Sequence, residues 1–218
     1  MAAGHAAADV LLAPADLPST FPADVVALHL GSISLLREPA ASTYEALMER
    51  EHGRRVLCLD PNIRPGLIVD RDAYLRRLDH WVSLVDVVKV SRADVDWLHP
   101  GVPLEDVAAH WLAMGPGLVV ITLGSEGARG FGAGAPVEVP GMVVAVADTV
   151  GAGDAFTAGL LARLHDDGLL DREALRHLPP AAILSALQQA NRVAGSTCTR
   201  SGAEPPTSAQ LAAATAPD

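Results

Sequence analysis

The sequence predicts an α/β fold in which a mostly parallel sheet carries helices on both faces, in a single domain spanning residues 1–218. Two observations support this prediction. Apolar runs of strand length alternate with helical patterns along the chain, which is typical of parallel strands joined by crossover helices. In addition, 50% of the residues are hydrophobic and 19% are charged, a composition that allows a buried core. Ligands of such sheets bind at the carboxyl ends of the strands, so the residues that follow each strand are the candidates for a site.

The elements follow in chain order from this pattern. The runs predicted as strands of the parallel sheet are Val25–Leu30, Val56–Leu59, Asp86–Val90 and Leu118–Leu123. The helical patterns between them cover Pro39–Glu51, with proline in the first turn, Asp70–Leu84, Arg92–Leu98 and Leu104–Met114. Gly127–Val146 is rich in glycine and valine, which predicts antiparallel strands. Helices are expected again at Gly153–His165 and Ala181–Cys198, and the tail Thr207–Asp218 should form a short helix with a frayed end.

Composition excludes several classes of function. The formal net charge is −10, and Lys89 is the only lysine, which disfavours binding to nucleic acid or to a membrane surface. The first residues, Met1–Asp9, contain no basic stretch followed by a long apolar run, so neither a signal peptide nor a transmembrane helix is expected. Cys58 and Cys198 fit no metal or disulfide spacing, and the eight histidines, His5 among them, show no metal spacing. The cytoplasm is therefore the expected location.

The most informative segment is residues 148–159, where Gly151 and Gly153 precede Asp154 and an apolar helical pattern. This layout predicts a glycine-rich turn at the start of a helix, where free N–H groups and the helix dipole favour a phosphate. An acid repels phosphate at such a place, but it is useful if it takes the proton from a hydroxyl group that attacks the phosphate. The alternative interpretation of Asp154 is a helix-capping residue that follows a glycine turn.

Residues 148–154 read Asp-Thr-Val-Gly-Ala-Gly-Asp, which resembles the second signature of the PfkB/ribokinase family of sugar kinases. The resemblance implies a ribokinase-like fold and an ATP-dependent sugar kinase that uses Mg²⁺. It also implies that Asp154 binds the sugar hydroxyl as general base, and that the N–H groups of Gly151, Ala152 and Gly153 form an anion hole. Asp60-Pro-Asn-Ile-Arg64 resembles a motif of fructokinase-like members, which suggests fructose or a related keto-sugar. Arg64 would then lie on the phosphate side, although a surface arginine in a polar turn is the alternative.

The resemblance implies further site residues. Those expected to bind the nucleotide are Ser91, Thr122, Gly124, Gly127, Asn191 and Gly202. A plain hairpin turn at residues 122–128 and a solvent-facing Asn191 are the alternatives. Asp94 stands where the family has a glutamate, and it would influence Mg²⁺ through water or act only as an acid in the first helical turn. Asp148 would bind a monovalent cation, K⁺ in some relatives.

Two features of the family are not found in this sequence: the first signature, Gly-Gly-x-x-x-Asn, and a lid of strands. The resemblance therefore implies an N-terminally truncated member with an exposed sheet edge and exposed apolar surface, which a homodimer would cover. The expected partners are a small sugar and ATP, with no nucleic acid and no membrane. A second hypothesis remains open, namely a nucleotide-binding remnant or regulatory fragment without sugar turnover.

Overall fold

The structure is a computed structural model that describes residues 11–213. Its centre is a six-stranded sheet with strand order β1-β2-β3-β4-β5-β6. The strands are β1 (Ala27–Gly31), β2 (Val56–Asp60), β3 (Val87–Ser91), β4 (Leu118–Thr122), β5 (Gly127–Phe131) and β6 (Val137–Pro140). Strands β1 to β4 pair in parallel, whereas β5 and β6 pair in antiparallel fashion. The prediction of a mostly parallel sheet is thereby confirmed.

The helices follow the predicted order with one addition. They are α1 (Ala40–Glu51), α2 (Arg71–Leu84), α3 (Arg92–Leu98), α4 (Leu104–Met114), α5 (Ala152–Asp166), α6 (Arg172–Arg176), α7 (Pro180–Cys198) and α8 (Ser208–Ala213). Short 3-10 turns lie at Ser32–Leu35 and Gly124–Glu126. No helix within residues 11–213 is long and apolar enough to cross a membrane.

The structure differs from the sequence prediction at three places. The N–H group of Val25 donates to Pro22 in a turn, so the first strand begins at Ala27. Helix α6 was not predicted because it has five residues, too few for an apolar repeat, and it begins where Asp171 accepts hydrogen bonds from two backbone N–H groups. The predicted antiparallel strands end at Pro140, and residues 141–146 run without strand pairing. The expectations for Met1–Asp9, His5 and the last five residues of the tail lie outside the described residues.

The two faces of the sheet carry separate apolar cores. Helices α1 to α4 cover one face, where Leu57, Val88 and Ile121 pack with Trp81 and Trp111. Helices α5 to α7 cover the other face and pack on Val56, Cys58, Val87 and Val120. Because side chains alternate between faces along a strand, Asp60 and Lys89 project on the same side as α5.

The carboxyl ends of the parallel strands meet at one edge, as the sequence predicts. Gly31 at the end of β1 is in register with Asp60 of β2, and Ser91 of β3 is in register with Thr122 of β4. Gly31 must be small, because a Cβ atom there would lie 2.1 Å from the carbonyl oxygen of Asp60. Among the described strands β1 pairs only with β2, so its other side is an open sheet edge.

Candidate active site

A glycine turn begins helix α5 at the carboxyl edge of the sheet. Gly151 has a φ of 76°, and a Cβ atom there would lie 2.8 Å from the Cβ of Ala203. The N–H group of Ala152 donates to Thr149 at 3.2 Å, so the turn itself uses one of the predicted anion-hole donors. The N–H groups of Gly151 and Gly153 donate to no group within residues 11–213. Two of the three donors are therefore free to bind an anion.

Asp154 is exposed in the first turn of α5. Its carboxylate accepts no hydrogen bond from the part of the chain that the structure describes, so it does not act as the helix cap that the alternative interpretation requires. It lines a cavity of about 230 Å³. The preceding residues, Ala152 and Gly153, line a second cavity of about 280 Å³. The start of α5 therefore separates two cavities and contributes a carboxylate to one of them.

The first of these, here called the polar cavity, lies between the ends of β1 and β2 and the start of α5. Its polar walls are His29, Ser32, Ser34, Tyr44, Asp60, Asn62 and Asp154. Desolvation lowers the pKa of His29, an effect that Lys89 reinforces and that the carboxylates of Asp60 and Asp154 oppose. The sequence analysis named Asp154 as a site residue, but it did not name His29, Ser32 or Ser34.

The second cavity, here called the glycine-rich cavity, brings together most of the predicted nucleotide-binding residues. Thr122, Gly124, Gly127 and Asn191 line it, together with Gly141, Met142, Gly195 and Cys198. The amide Nδ2 of Asn191 donates to the carbonyl of Pro140 at 3.0 Å, so Asn191 is tied to the wall of the cavity. A Cβ atom on Gly195 would lie 3.1 Å from the side chain of Met142. The cavity is therefore narrow at this place, and Met142 makes its wall apolar.

Gly202 and Asp148 do not line either cavity but join two loops beside the turn. The carboxylate of Asp148 accepts hydrogen bonds from the N–H groups of Val150 at 3.0 Å and Gly202 at 2.9 Å. These backbone donors hold the pKa of Asp148 below its usual range. Asp148 therefore fixes the segment before the glycine turn, and its role as a ligand of a monovalent cation stays a prediction.

Lys89 is a site residue that the sequence analysis missed. Its Nζ atom lies 2.7 Å from Oδ2 of Asp60, and both side chains are buried. A Cβ atom on Gly153 would lie 3.2 Å from the same Nζ atom, which places the ammonium group directly beneath the glycine turn. Burial raises the pKa of Asp60, and the Lys89 ammonium opposes that shift. The sequence did contain a signal for this residue, because the only lysine of the chain lies inside an apolar strand.

Asp94 and Ser91 form a capping box at the start of α3. The carboxylate of Asp94 accepts from the N–H group and hydroxyl of Ser91 at 2.9 and 2.7 Å, and from the N–H group of Ile63 at 2.9 Å. Three internal hydrogen bonds occupy this buried carboxylate, in keeping with the interpretation as a helix first-turn acid. The water-mediated influence on Mg²⁺ and the contact of Ser91 with the nucleotide stay predictions.

Arg64 is exposed and lines neither cavity. Its Nη1 atom donates to Oδ1 of Asn62 at 2.6 Å and to the carbonyl groups of Asn62 and Ile63. The structure places its guanidinium group against its own loop, and the phosphate-side role of Arg64 stays a prediction.

Among residues 11–213, no group of three metal-ligating side chains lies at the glycine turn. Within the described residues, the one group of three side chains spaced for a metal is Glu45, Glu49 and His80 on helices α1 and α2. Mg²⁺ commonly binds through substrate phosphates and water with few protein ligands. The free N–H groups and the glycine walls of the site fit a nucleoside triphosphate, and such a ligand would bring its Mg²⁺ ion with it.

Comparison with known proteins adds independent findings. A sequence profile described as the pfkB family carbohydrate kinase matches residues 4–210. A fructokinase of Rhizobium leguminosarum bv. trifolii is 46% identical over 173 residues, which cover 79% of this chain and 53% of the relative.

Two solved structures share the fold. A fructokinase of Vibrio cholerae O395, in a form with fructose, ADP and calcium ion bound, superposes with a TM-score of 0.77 at 30% identity, covering 93% of this chain and 64% of that one. A fructokinase of Xylella fastidiosa with bound ATP superposes with a TM-score of 0.80 at 28% identity, covering 90% and 62%. The chain thus spans between half and two thirds of the length of these relatives.

Proposed function

The chain belongs to the pfkB family of carbohydrate kinases, and on this premise we propose that it is an ATP-dependent sugar kinase. The enzyme transfers the γ-phosphate of ATP to a hydroxyl group of fructose or a related keto-sugar. The observation that carries this proposal is the position of Asp154, which lines the polar cavity while its neighbours Ala152 and Gly153 line the glycine-rich cavity. The fructokinases with bound fructose, ADP or ATP support the choice of substrates.

In this mechanism ATP occupies the glycine-rich cavity and directs its phosphates toward the glycine turn. The apolar wall at Met142 and Gly195 suits the base, and Asn191 offers an amide oxygen beside it. The free N–H groups of Gly151 and Gly153 stabilise negative charge on the transferred phosphoryl group. The buried Lys89 ammonium beneath Gly153 adds positive potential at the same place.

The sugar hydroxyl is activated from the opposite side of the turn. Asp154 accepts its proton as the hydroxyl oxygen attacks the γ-phosphate, and ADP leaves into the glycine-rich cavity. A well-placed general base contributes roughly 10²–10⁴-fold to a rate. The Asp154 carboxylate is exposed and accepts no hydrogen bond from residues 11–213, so it is open to the hydroxyl group of the acceptor.

Mg²⁺ is the proposed cofactor, held mainly by the triphosphate and by water, where it neutralises phosphate charge. K⁺ binding near Asp148 and the water-mediated influence of Asp94 on Mg²⁺ belong to the same proposal. So do a cytoplasmic location, which the free thiols of Cys58 and Cys198 favour, and a homodimer that covers the open edge of β1.

The test is a transfer assay on the full chain with Mg²⁺-ATP and fructose, in parallel with calorimetric titration of each ligand. Formation of fructose phosphate with one equivalent of ADP is expected. If ATP binds but no phosphate is transferred, the chain is a nucleotide-binding protein without sugar turnover, which is the alternative hypothesis. If neither ligand binds, both hypotheses are wrong.

A further inference from the structure

The backbone is unusual at two neighbouring places that both line the polar cavity. Ser32 has a φ of 63° and Asn62 a φ of 43°, both in the left-handed region. Every other left-handed residue that the structure describes, eight in all, is a glycine. Non-glycine residues reach this region at a conformational cost that glycine avoids. Two exceptions in one cavity indicate that the side chains themselves are needed there.

The strand register explains why the two residues meet. Ser32 directly follows β1 and Asn62 lies two residues beyond β2, and the last residues of these strands, Gly31 and Asp60, are directly paired. The Nδ2 atom of Asn62 lies 3.5 Å from the Ser32 hydroxyl, a separation at which the two groups hold each other only weakly. Both polar groups therefore have capacity left for a ligand.

The amide of Asn62 is held in a fixed orientation. Arg64 donates to its Oδ1 atom at 2.6 Å, and the N–H group of Asn62 donates to the buried carboxylate of Asp60 at 3.1 Å. Asp60 is in turn paired with Lys89. The Nδ2 donor is thus presented on the Ser32 side by a supported loop, as a group that binds a ligand must be.

The chemistry of the cavity selects the ligand. Its volume is about 230 Å³. Hydroxyl, amide and imidazole groups line it together with the carboxylates of Asp60 and Asp154, so hydrogen-bond donors and acceptors are both present. A polyol, whose hydroxyl groups also do both, is the complementary ligand class.

We infer that Ser32 and Asn62 are sugar-specificity residues that hold hydroxyl groups of the acceptor opposite Asp154. This inference rests on the proposed kinase function and deepens it, because it assigns part of the sugar recognition to the loops after β1 and β2. Arg64 then acts as a positioning residue that orients Asn62.

The test uses Ser32→Gly, Asn62→Gly and the double variant, because glycine accepts the left-handed backbone and removes only the side chain. Each single variant should raise the KM for fructose roughly three- to tenfold, the loss of about one hydrogen bond. The double variant should raise it about 10- to 100-fold. The KM for ATP should change less than about twofold, and the melting temperature should stay equal or rise. Ser19→Gly, in an exposed bend away from both cavities, is the matched control.

The outcomes separate the inference from the proposed function. An active chain whose glycine variants keep the fructose KM would overturn the inference and leave the kinase assignment intact. If the chain transfers no phosphate, the dissociation constant for fructose is measured by calorimetry in the presence of a non-hydrolysable ATP analogue. Weaker fructose binding by the variants would then support the inference alone, whereas no fructose binding by the unaltered chain would overturn it. A variant that loses stability together with fructose binding would also count against it, because side chains needed only for folding predict that result.

Discussion

The two cavities beside the start of α5 are lined by different kinds of chemical group. Glycines and apolar side chains form much of the glycine-rich cavity, and backbone N–H groups are the anion-binding groups proposed beside it. Polar side chains from separate strand ends form the polar cavity. In the proposed kinase, the nucleotide side therefore depends on where a Cβ atom is absent, whereas the acceptor side depends on which side chain is present. Substitutions should thus affect the two sides separately, and the predictions below test that separation.

The largest expected effect is at the boundary between the cavities. Asp154→Asn should lower kcat for fructose phosphorylation by roughly 10²–10⁴-fold because the proton acceptor is lost. ATP affinity, measured by calorimetry, should stay within a factor of about two. Asp166→Asn, an exposed acid at the other end of the same helix, should leave turnover unchanged. Full activity of Asp154→Asn would show that the boundary residue is not the base.

The next effect concerns the buried pair beneath both cavities. Lys89→Met leaves the Asp60 carboxylate buried without its partner, and removal of one member of such a pair destabilises a protein by about 3–5 kcal/mol. Denaturation by urea measures the free energy of unfolding. Lys89→Met combined with Asp60→Asn should recover most of the loss, because the amide carries no charge and its oxygen still accepts from Asn62. A double variant as unstable as the single one would contradict this account.

A smaller effect is expected on the nucleotide side alone. A Cβ atom at position 195 would already lie 3.1 Å from the side chain of Met142. Gly195→Val adds a branched side chain at this place and so narrows the glycine-rich cavity. The KM for ATP should rise roughly tenfold, equivalent to about 1.4 kcal/mol, while the KM for fructose stays the same. Gly66→Ala, where a Cβ atom meets nothing within 4 Å, is the control. An equal rise in both KM values would mean that the cavities are not separable.

The smallest effect is expected in the pH dependence of stability. It concerns the hydrogen bonds by which Asp148 joins two loops. The pKa of Asp148 is lowered by the N–H groups of Val150 and Gly202, so its charged form stabilises the folded state. That contribution is present above the unfolded pKa of about 3.9 and is lost as the pH falls through the lower folded value. Asp148→Asn should therefore lower the melting temperature more at pH 7 than at pH 2.

Scanning calorimetry at the two pH values measures the difference. Asp96→Asn, an exposed acid on α3, should change the melting temperature little at either pH. A deficit in Asp148→Asn that is the same at both values would mean that the carboxylate charge is not what ties the loops.

The predictability of the site from sequence follows the same division between cavities. The turn at residues 148–154 is contiguous, so its glycine spacing can be read directly along the chain, and so can the long periodic elements such as α5 and α7. Ser32 and Asn62 lie 30 positions apart, and they meet only because β1 and β2 pair with Gly31 opposite Asp60. No local spacing encodes that meeting or the left-handed backbone at both residues. The pairing of Lys89 with Asp60 was hidden for the same reason, since it spans two strands.

The burial of Lys89 has a practical consequence. This residue carries the only side-chain amine of the chain, and 4% of its surface is exposed in the folded state. A reagent that modifies ε-amino groups can reach it only when the sheet edge opens and the ion pair breaks. The rate at which Lys89 takes up such a label therefore measures how often the structure beneath the glycine turn opens, without any engineered probe.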